Sequence, residues 1–213
     1  MVEEYSCIMT NDVWEAVPTL EDRSVVGLRW IYKIKYAADG SVEKYKAKFM
    51  EKGYEQKEGI DYEETFTLVA RHTFIKSVIS LAAQMGWEIH QMDVKTTFLN
   101  GMIEEEVYIE QPEGFETHEK RTHVCKLKNA LYGLKQAPRA WYGRIDSYLN
   151  QLGFIKSDVD PNLFYLMVEN EPLILVLYED DLFLIGSSRL IKDCKKNLEA
   201  KFDMKDTELM HYF

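Results

Sequence analysis

The segment from Leu173 to Ile185 sets three consecutive carboxylates, Glu179, Asp180 and Asp181, between two apolar arms. A buried strand cannot absorb adjacent unpaired charges. The acids are therefore expected at the tip of a hairpin whose arms lie in a core. Clustered carboxylates repel, and each raises its neighbour's pKa. A divalent cation removes that cost, and hard oxygen donors select magnesium or manganese; no calcium-loop spacing is present. Phosphoryl transfer by two metal ions needs a further carboxylate from elsewhere in the chain. Asp93, at the end of the alternating stretch Glu88 to Val94, is the candidate. The plainer alternatives are an exposed acidic turn and a structural aspartate at a strand end, although Asn, Gly or Ser would make such a turn as well. An acidic metal-binding or interaction module with no phosphoryl-transfer chemistry stays open on these residues alone.

Charge is distributed unevenly. The chain has 26 Lys/Arg against 36 Asp/Glu, a formal net charge of -10. Arg23 to Lys57 nevertheless carries nine cations and four acids, and Lys120 to Arg144 carries seven cations and no acid. Between them, Met102 to Glu119 has seven glutamates and no Lys or Arg. Two basic stretches suit either solvated faces or surfaces that grip a polyanion. No apolar run is long enough to span a bilayer, and no signal-peptide pattern opens the chain. Three scattered cysteines, Cys7, Cys125 and Cys194, make no disulfide frame, so a reducing compartment is expected. His118, His123 and Cys125 lack a fourth ligand at zinc spacing.

The elements that must position these residues follow from periodicity. Val25 to Tyr36 and Val42 to Met50 read as two strands around an Asp39-Gly40 turn. On the second, Lys44, Lys46 and Lys48 alternate with Tyr45, Ala47 and Phe49, giving one lysine face and one apolar face. Helices are predicted from Thr73 to Met85, from Pro138 to about Leu152, and from Arg189 to Phe202. Strands are predicted at Glu88 to Val94, Val107 to Ile109, Asn162 to Val168, and in both arms of the acidic hairpin. The predicted class is α+β, an antiparallel sheet with helices packed on one face.

Five ordered blocks carry a family resemblance: Gln56-Lys-Glu-Gly-Ile-Asp-Tyr-Glu-Glu-Thr-Phe66, Gln91-Met-Asp-Val-Lys-Thr-Thr-Phe-Leu-Asn-Gly101, Glu110-Gln-Pro-Glu-Gly-Phe115, Leu131-Tyr-Gly-Leu-Lys-Gln-Ala-Pro-Arg-Ala-Trp-Tyr142 and Leu177-Tyr-Glu-Asp-Asp181. From Asn11 to the C-terminus the chain resembles the reverse transcriptase domain of copia-type LTR retrotransposon Pol polyproteins. The resemblance implies a right-hand polymerase fold. The reverse transcriptase domain would cover 11–213, with fingers at about 11–87 and 96–130, palm at about 88–95 and 131–213, and 1–10 as an N-terminal tail. The thumb and ribonuclease H regions are expected to be absent from this chain.

The same resemblance implies site roles. Asp93, Asp180 and Asp181 would be catalytic and hold two Mg2+ ions, or Mn2+, with the Val94 carbonyl as a further ligand. Phe98 would crowd a ribose 2′-hydroxyl. Lys46, Lys48, Arg71, Gly133, Lys135 and Gln136 would bind the nucleotide, and Tyr178 and Arg139 the template and primer. The implied partners are an RNA or DNA template with its primer and deoxynucleoside triphosphates, with no membrane, in the cytoplasm or a virus-like particle. Three positions depart from the family pattern. Glu179 stands where a small or aliphatic residue is usual, Thr97 replaces alanine, and Thr67-Leu68 replaces alanine-proline. Glu179 puts a carboxylate where the primer phosphates would approach, and Thr97 adds bulk before the sugar gate. A catalytically inactive transposon remnant that keeps the fold is therefore the alternative expectation.

Overall fold

The structure, a computed structural model, describes residues 1–65, 72–117 and 122–209. The chain divides into two compact units, residues 1–66 with 98–141, and residues 67–97 with 142–213. Both mix helices with mostly antiparallel strands, so the mixed helix-and-strand content expected of an α+β chain holds.

The first unit begins with α1 (Val2–Thr10), a stretch where the sequence pattern predicts no element. Strands β1 (Trp14–Pro18), β2 (Val25–Val26), β3 (Leu28–Tyr36) and β4 (Val42–Glu51) follow, and later β6 (Tyr108–Ile109) and β7 (His123–Leu127). One sheet has the order β1-β7-β6-β2, with β2 parallel to β6. The predicted first strand is split at Gly27, so Val25 and Val26 join this sheet while Leu28–Tyr36 forms a two-stranded ladder with β4. Around Asp39-Gly40, the Asp39 carboxylate accepts from the Ser41 N–H at 2.9 Å, and Gly40 takes φ +82°. Such a left-handed residue is easiest for glycine. The core joins Ile8, Trp14, Phe49, Leu99, Ile109, Leu131 and Leu134.

The β3–β4 ladder sets Lys33 opposite Lys46 and Lys35 opposite Lys44, so the lysine face spans both strands. Its other face is buried only at the base. Phe49 is fully packed, whereas Tyr32, Ile34, Tyr36 and Tyr45 are exposed.

The second unit holds α2 (His72–Met85), β5 (Glu88–Val94), β8 (Ile155–Lys156), β9 (Leu163–Val168), β10 (Glu171–Tyr178), β11 (Asp181–Gly186), α4 (Ser188–Lys201) and β12 (Met204–Leu209). Helix α3 (Ala137–Gln151) begins in the first unit and ends in the second. The six-stranded sheet has the order β12-β5-β11-β10-β9-β8, antiparallel throughout.

Helices do not lie on one face, contrary to expectation. Ile75, Val78 and Ala82 of α2 pack on Val176, Phe183, Ile185 and Ile89. Leu190 and Cys194 of α4 lie with Leu173, and Lys195 of α4 reaches His90. Residues 89 and 90, like 176 and 173, differ in parity and leave their strands on opposite faces. The reason is compositional: β10 and β11 are apolar at both parities, so both faces of the sheet need covering.

Candidate active site

The acidic segment forms a two-residue hairpin. Tyr178 pairs with Asp181, and Glu179-Asp180 is the loop. Of the two loop residues, only Glu179 has a left-handed backbone, φ +54°. Tight hairpins of this kind favour glycine at the first loop position. A glutamate there costs about 1–2 kcal/mol of steric strain.

β5 lies beside this hairpin and sets Asp93 directly opposite Asp181. The tip is also tied by the Val94 N–H, which donates to the Asp180 carbonyl at 2.9 Å. Directly opposed residues of an antiparallel ladder project to the same face, so Asp93 and Asp181 share one side of the sheet. Gln91, two residues before Asp93, shares that face, and its Nε2 donates to Asp181 Oδ1 at 2.9 Å. On the other flank of β5, Lys205 of β12 is the register partner of Asp93.

Burial, joined by the charges of Asp180, Asp93 and Glu179, pushes the Asp181 carboxyl above its ordinary value, and the Gln91 hydrogen bond opposes that rise. The donors are hard carboxylate oxygens under mutual repulsion, and a magnesium or manganese ion fits such a set. Among the described residues, no three His, Cys, Asp or Glu side chains are gathered into a ready-made metal shell. The structure thus brings Asp93, Asp180 and Asp181 to one sheet end without closing them into a cage.

The turn after β5 carries further strain. Thr96 has φ +51°, rare for a β-branched residue. The buried Thr97 hydroxyl donates to the Val94 carbonyl at 2.6 Å. The residue expected to add bulk beside a sugar pocket therefore occupies one lone pair of the carbonyl expected to face a metal.

The first unit holds the remaining candidates. Phe98 is half-buried and meets the Tyr132 ring edge-on, centroids 5.2 Å apart. Lys48 Nζ stands 3.8 Å from the Tyr132 ring centre. Lys46 is exposed on the lysine face. Gly133 has φ +99°, and a Cβ there would stand 2.3 Å from the Glu51 carbonyl oxygen, so it admits the neighbouring strand of its own unit. The Gln136 side chain is buried, donating to the Asp61 carbonyl at 2.8 Å and accepting from Gln56 Nε2 at 3.0 Å. Lys135 Nζ donates to the Tyr62 hydroxyl at 2.9 Å. Arg139 is exposed, 3.8 Å from Glu64. In the second unit, Tyr178 packs at the edge of the α2 cluster. Arg71, His118 and the Thr67-Leu68 pair lie outside the described residues. Cys125 is buried, its thiol pushed up to about 11 by that burial.

Three residues of interest escape a reading by motif. Gln91 was accessible through the alternation that puts it on the Asp93 face. Lys205 was not, because its strand is short and polar. Glu51 is 1% exposed and neither carboxylate oxygen has a hydrogen-bond partner. Burial pushes its carboxyl well above the ordinary range, and the charge of Asp61 adds to the rise.

Among known proteins, the family described as reverse transcriptase (RNA-dependent DNA polymerase) matches residues 11–213. The chain is 41% identical over 215 residues to the retrovirus-related Pol polyprotein from transposon RE1 of Arabidopsis thaliana, which covers 100% of this chain and 15% of that protein. It is 42% identical over 208 residues to the Pol polyprotein from transposon TNT 1-94 of Nicotiana tabacum, covering 97% of this chain and 16% of that protein. A more distant relative, the Ty1-NL2 Gag-Pol polyprotein of Saccharomyces cerevisiae, is 27% identical over 193 residues, covering 85% of this chain and 10% of that protein. The chain thus spans about one sixth of the length of the plant relatives it matches.

Proposed function

Because the chain belongs to the copia-type reverse transcriptase family of retrotransposon Pol polyproteins, we propose that it supplies the fingers and palm of an RNA-directed DNA polymerase working by two-metal nucleotidyl transfer. The second unit corresponds to the palm and the first to the fingers, with α2 assigned to the palm because it packs on the sheet that carries Asp93. The single observation that carries the reading is the register of Asp93 against Asp181, tied at the tip by Val94 N–H to Asp180 O.

Asp93, Asp180 and Asp181 would hold the divalent ions, with the Val94 carbonyl as a further oxygen donor. A bound pair of magnesium ions would supply activation of a primer 3′-hydroxyl and stabilisation of charge on the pyrophosphate leaving group. The protein's share is placement: the hairpin and β5 fix the carboxylates on rigid strands, where small displacements are costly to rate. In the fingers, Phe98, held edge-on by Tyr132, screens the nucleotide sugar, and Lys46 and Lys48 offer charge to a triphosphate. Lys135, Gly133 and Gln136 shape the loop that borders the nucleotide, while Tyr178 and Arg139 serve primer and template.

Extension of a DNA primer on an RNA template with Mg2+ tests the reading. Activity is expected in the unmodified chain and loss in Asp180→Asn; equal extension by both would refute it. A second reading, a non-catalytic copy that keeps the fold, is favoured by Glu179, whose added carboxylate stands at the strained tip. It predicts no extension by the unmodified chain and a gain on Glu179→Val.

A further inference from the structure

Gln91 leaves β5 on the same face as Asp93 and faces Phe183 across the ladder, so Asp181 is its diagonal neighbour. Diagonal neighbours on a sheet are roughly 7–8 Å apart and are bridged only by long side chains. A glutamine spans that gap, as the 2.9 Å bond from Nε2 to Asp181 Oδ1 shows. The backbone beneath it is held as well, since the Gln91 carbonyl accepts from the Thr207 hydroxyl of β12 at 2.7 Å. The donor is neutral. A lysine or arginine at this position would compete with a cation for Asp181, whereas an amide holds one oxygen and leaves the negative charge available.

We propose that Gln91 is a positioning residue for metal binding: by holding Asp181 Oδ1, it fixes the orientation of the carboxylate and leaves Oδ2 as the oxygen available to a divalent ion. The inference rests on the metal-site reading above and adds to it a residue outside the Tyr-x-Asp-Asp segment and the Asp93 position. Partners that orient a metal's ligands typically change metal affinity by about 10- to 100-fold when removed.

The test is Mn2+ binding to the full chain, read from the free-ion electron paramagnetic resonance signal, with no activity required. Gln91→Met keeps length and removes the donor, so it is expected to weaken Mn2+ binding at least ~10-fold. Asp181→Ala removes the partner, and adding Gln91→Met to it should then change nothing more. If Gln91→Met proves unstable in a thermal melt, Gln91→Asn, too short to reach, gives the same expected loss. Unchanged affinity in a folded Gln91 variant, with Asp180→Asn still weakening the ion, overturns the proposal and spares the metal site. An equal further loss on top of Asp181→Ala assigns Gln91 a purely structural role and also overturns it. Identical affinity in Asp93→Asn, Asp180→Asn and the unmodified chain sinks the metal-site reading and this inference together.

Discussion

Removing the buried carboxyl of Glu51 should stabilise the protein, and by an amount that grows with pH. Glu51 ends β4, and its N–H donates to the Tyr132 carbonyl at 2.8 Å, but its side chain is sealed away with both oxygens unpartnered. Its folded pKa is raised well above 4.5. The folded chain therefore keeps a proton that the unfolded chain has released. Stability falls as pH rises from about 4.5 through that window, and the penalty is absent below it. One retained proton corresponds to ~1.4 kcal/mol per pH unit. The penalty grows with at most that slope until the folded carboxyl itself ionises, against a typical total stability of about 5–15 kcal/mol. Glu51→Met removes the titration while keeping the volume. Urea unfolding followed by tryptophan fluorescence suits the assay, because Trp14 lies in, and Trp30 packs on, the core of the unit that holds Glu51. With a slope of about 1–3 kcal/mol per molar urea, the gap between variant and wild-type midpoints should widen as pH rises from about 5 to 7, by at most ~0.5–1.4 M per pH unit. Taking the difference cancels the other carboxylates. A gap that does not change with pH would refute the reasoning, because Glu51 would then be ionised and satisfied in the folded chain.

Glu179→Gly should relieve the left-handed strain at the hairpin tip and add about 1–2 kcal/mol of stability; an unchanged or lower melting temperature would show that the glutamate makes a compensating contact. Thr97→Ala should cost about 1 kcal/mol for the lost hydrogen bond and tighten Mn2+ binding by freeing the Val94 carbonyl; weaker binding would show that the hydroxyl does not compete. Lys195→Met strips the ammonium from both Asp206 oxygens and from His90 Nδ1. Asp206 is partly exposed, so the expected loss is a discounted ~1–2 kcal/mol. Burial alone would raise the Asp206 pKa, but Lys195 and the Glu208 N–H bring it below 3.8. The deficit should therefore be full above about pH 3.8 and fade in acid, and chemical denaturation at pH 7 and pH 3 checks it.

Long periodic elements were legible in the sequence. Helix α2, strand β5, the acidic hairpin and α4 each fall within a residue or two of where spacing puts them, because one apolar stripe or alternation governs each. The spatial meeting of residues 93 and 181 was legible only as an inference from chemistry, since no local pattern encodes which strands become neighbours. Strand β12 was illegible: Met204–Leu209 is polar and mostly exposed, and its pairing with β5 supplies what its composition does not. Helix α1 hides because a single side chain, Ile8, is buried. The second helix-covered face of the sheet follows from doubly apolar strands, a cue present in Leu173 to Leu177 but equally compatible with one thick core. In the sequence Glu51 is one acid in a basic stretch, and only tertiary burial sets it apart.

β5 sits between β11 and β12, both made later in the chain. Asp93 must wait for a partner 88 residues downstream, Asp181. At a synthesis rate of about 5–20 residues per second, the first catalytic-candidate strand spends roughly 4–18 s on the ribosome with both edges unpaired. Pairings this distant in sequence are also slow to form once the chain is free. Nascent β5 is therefore a point at which the growing chain is open to capture by chaperones or to mispairing with another nascent copy.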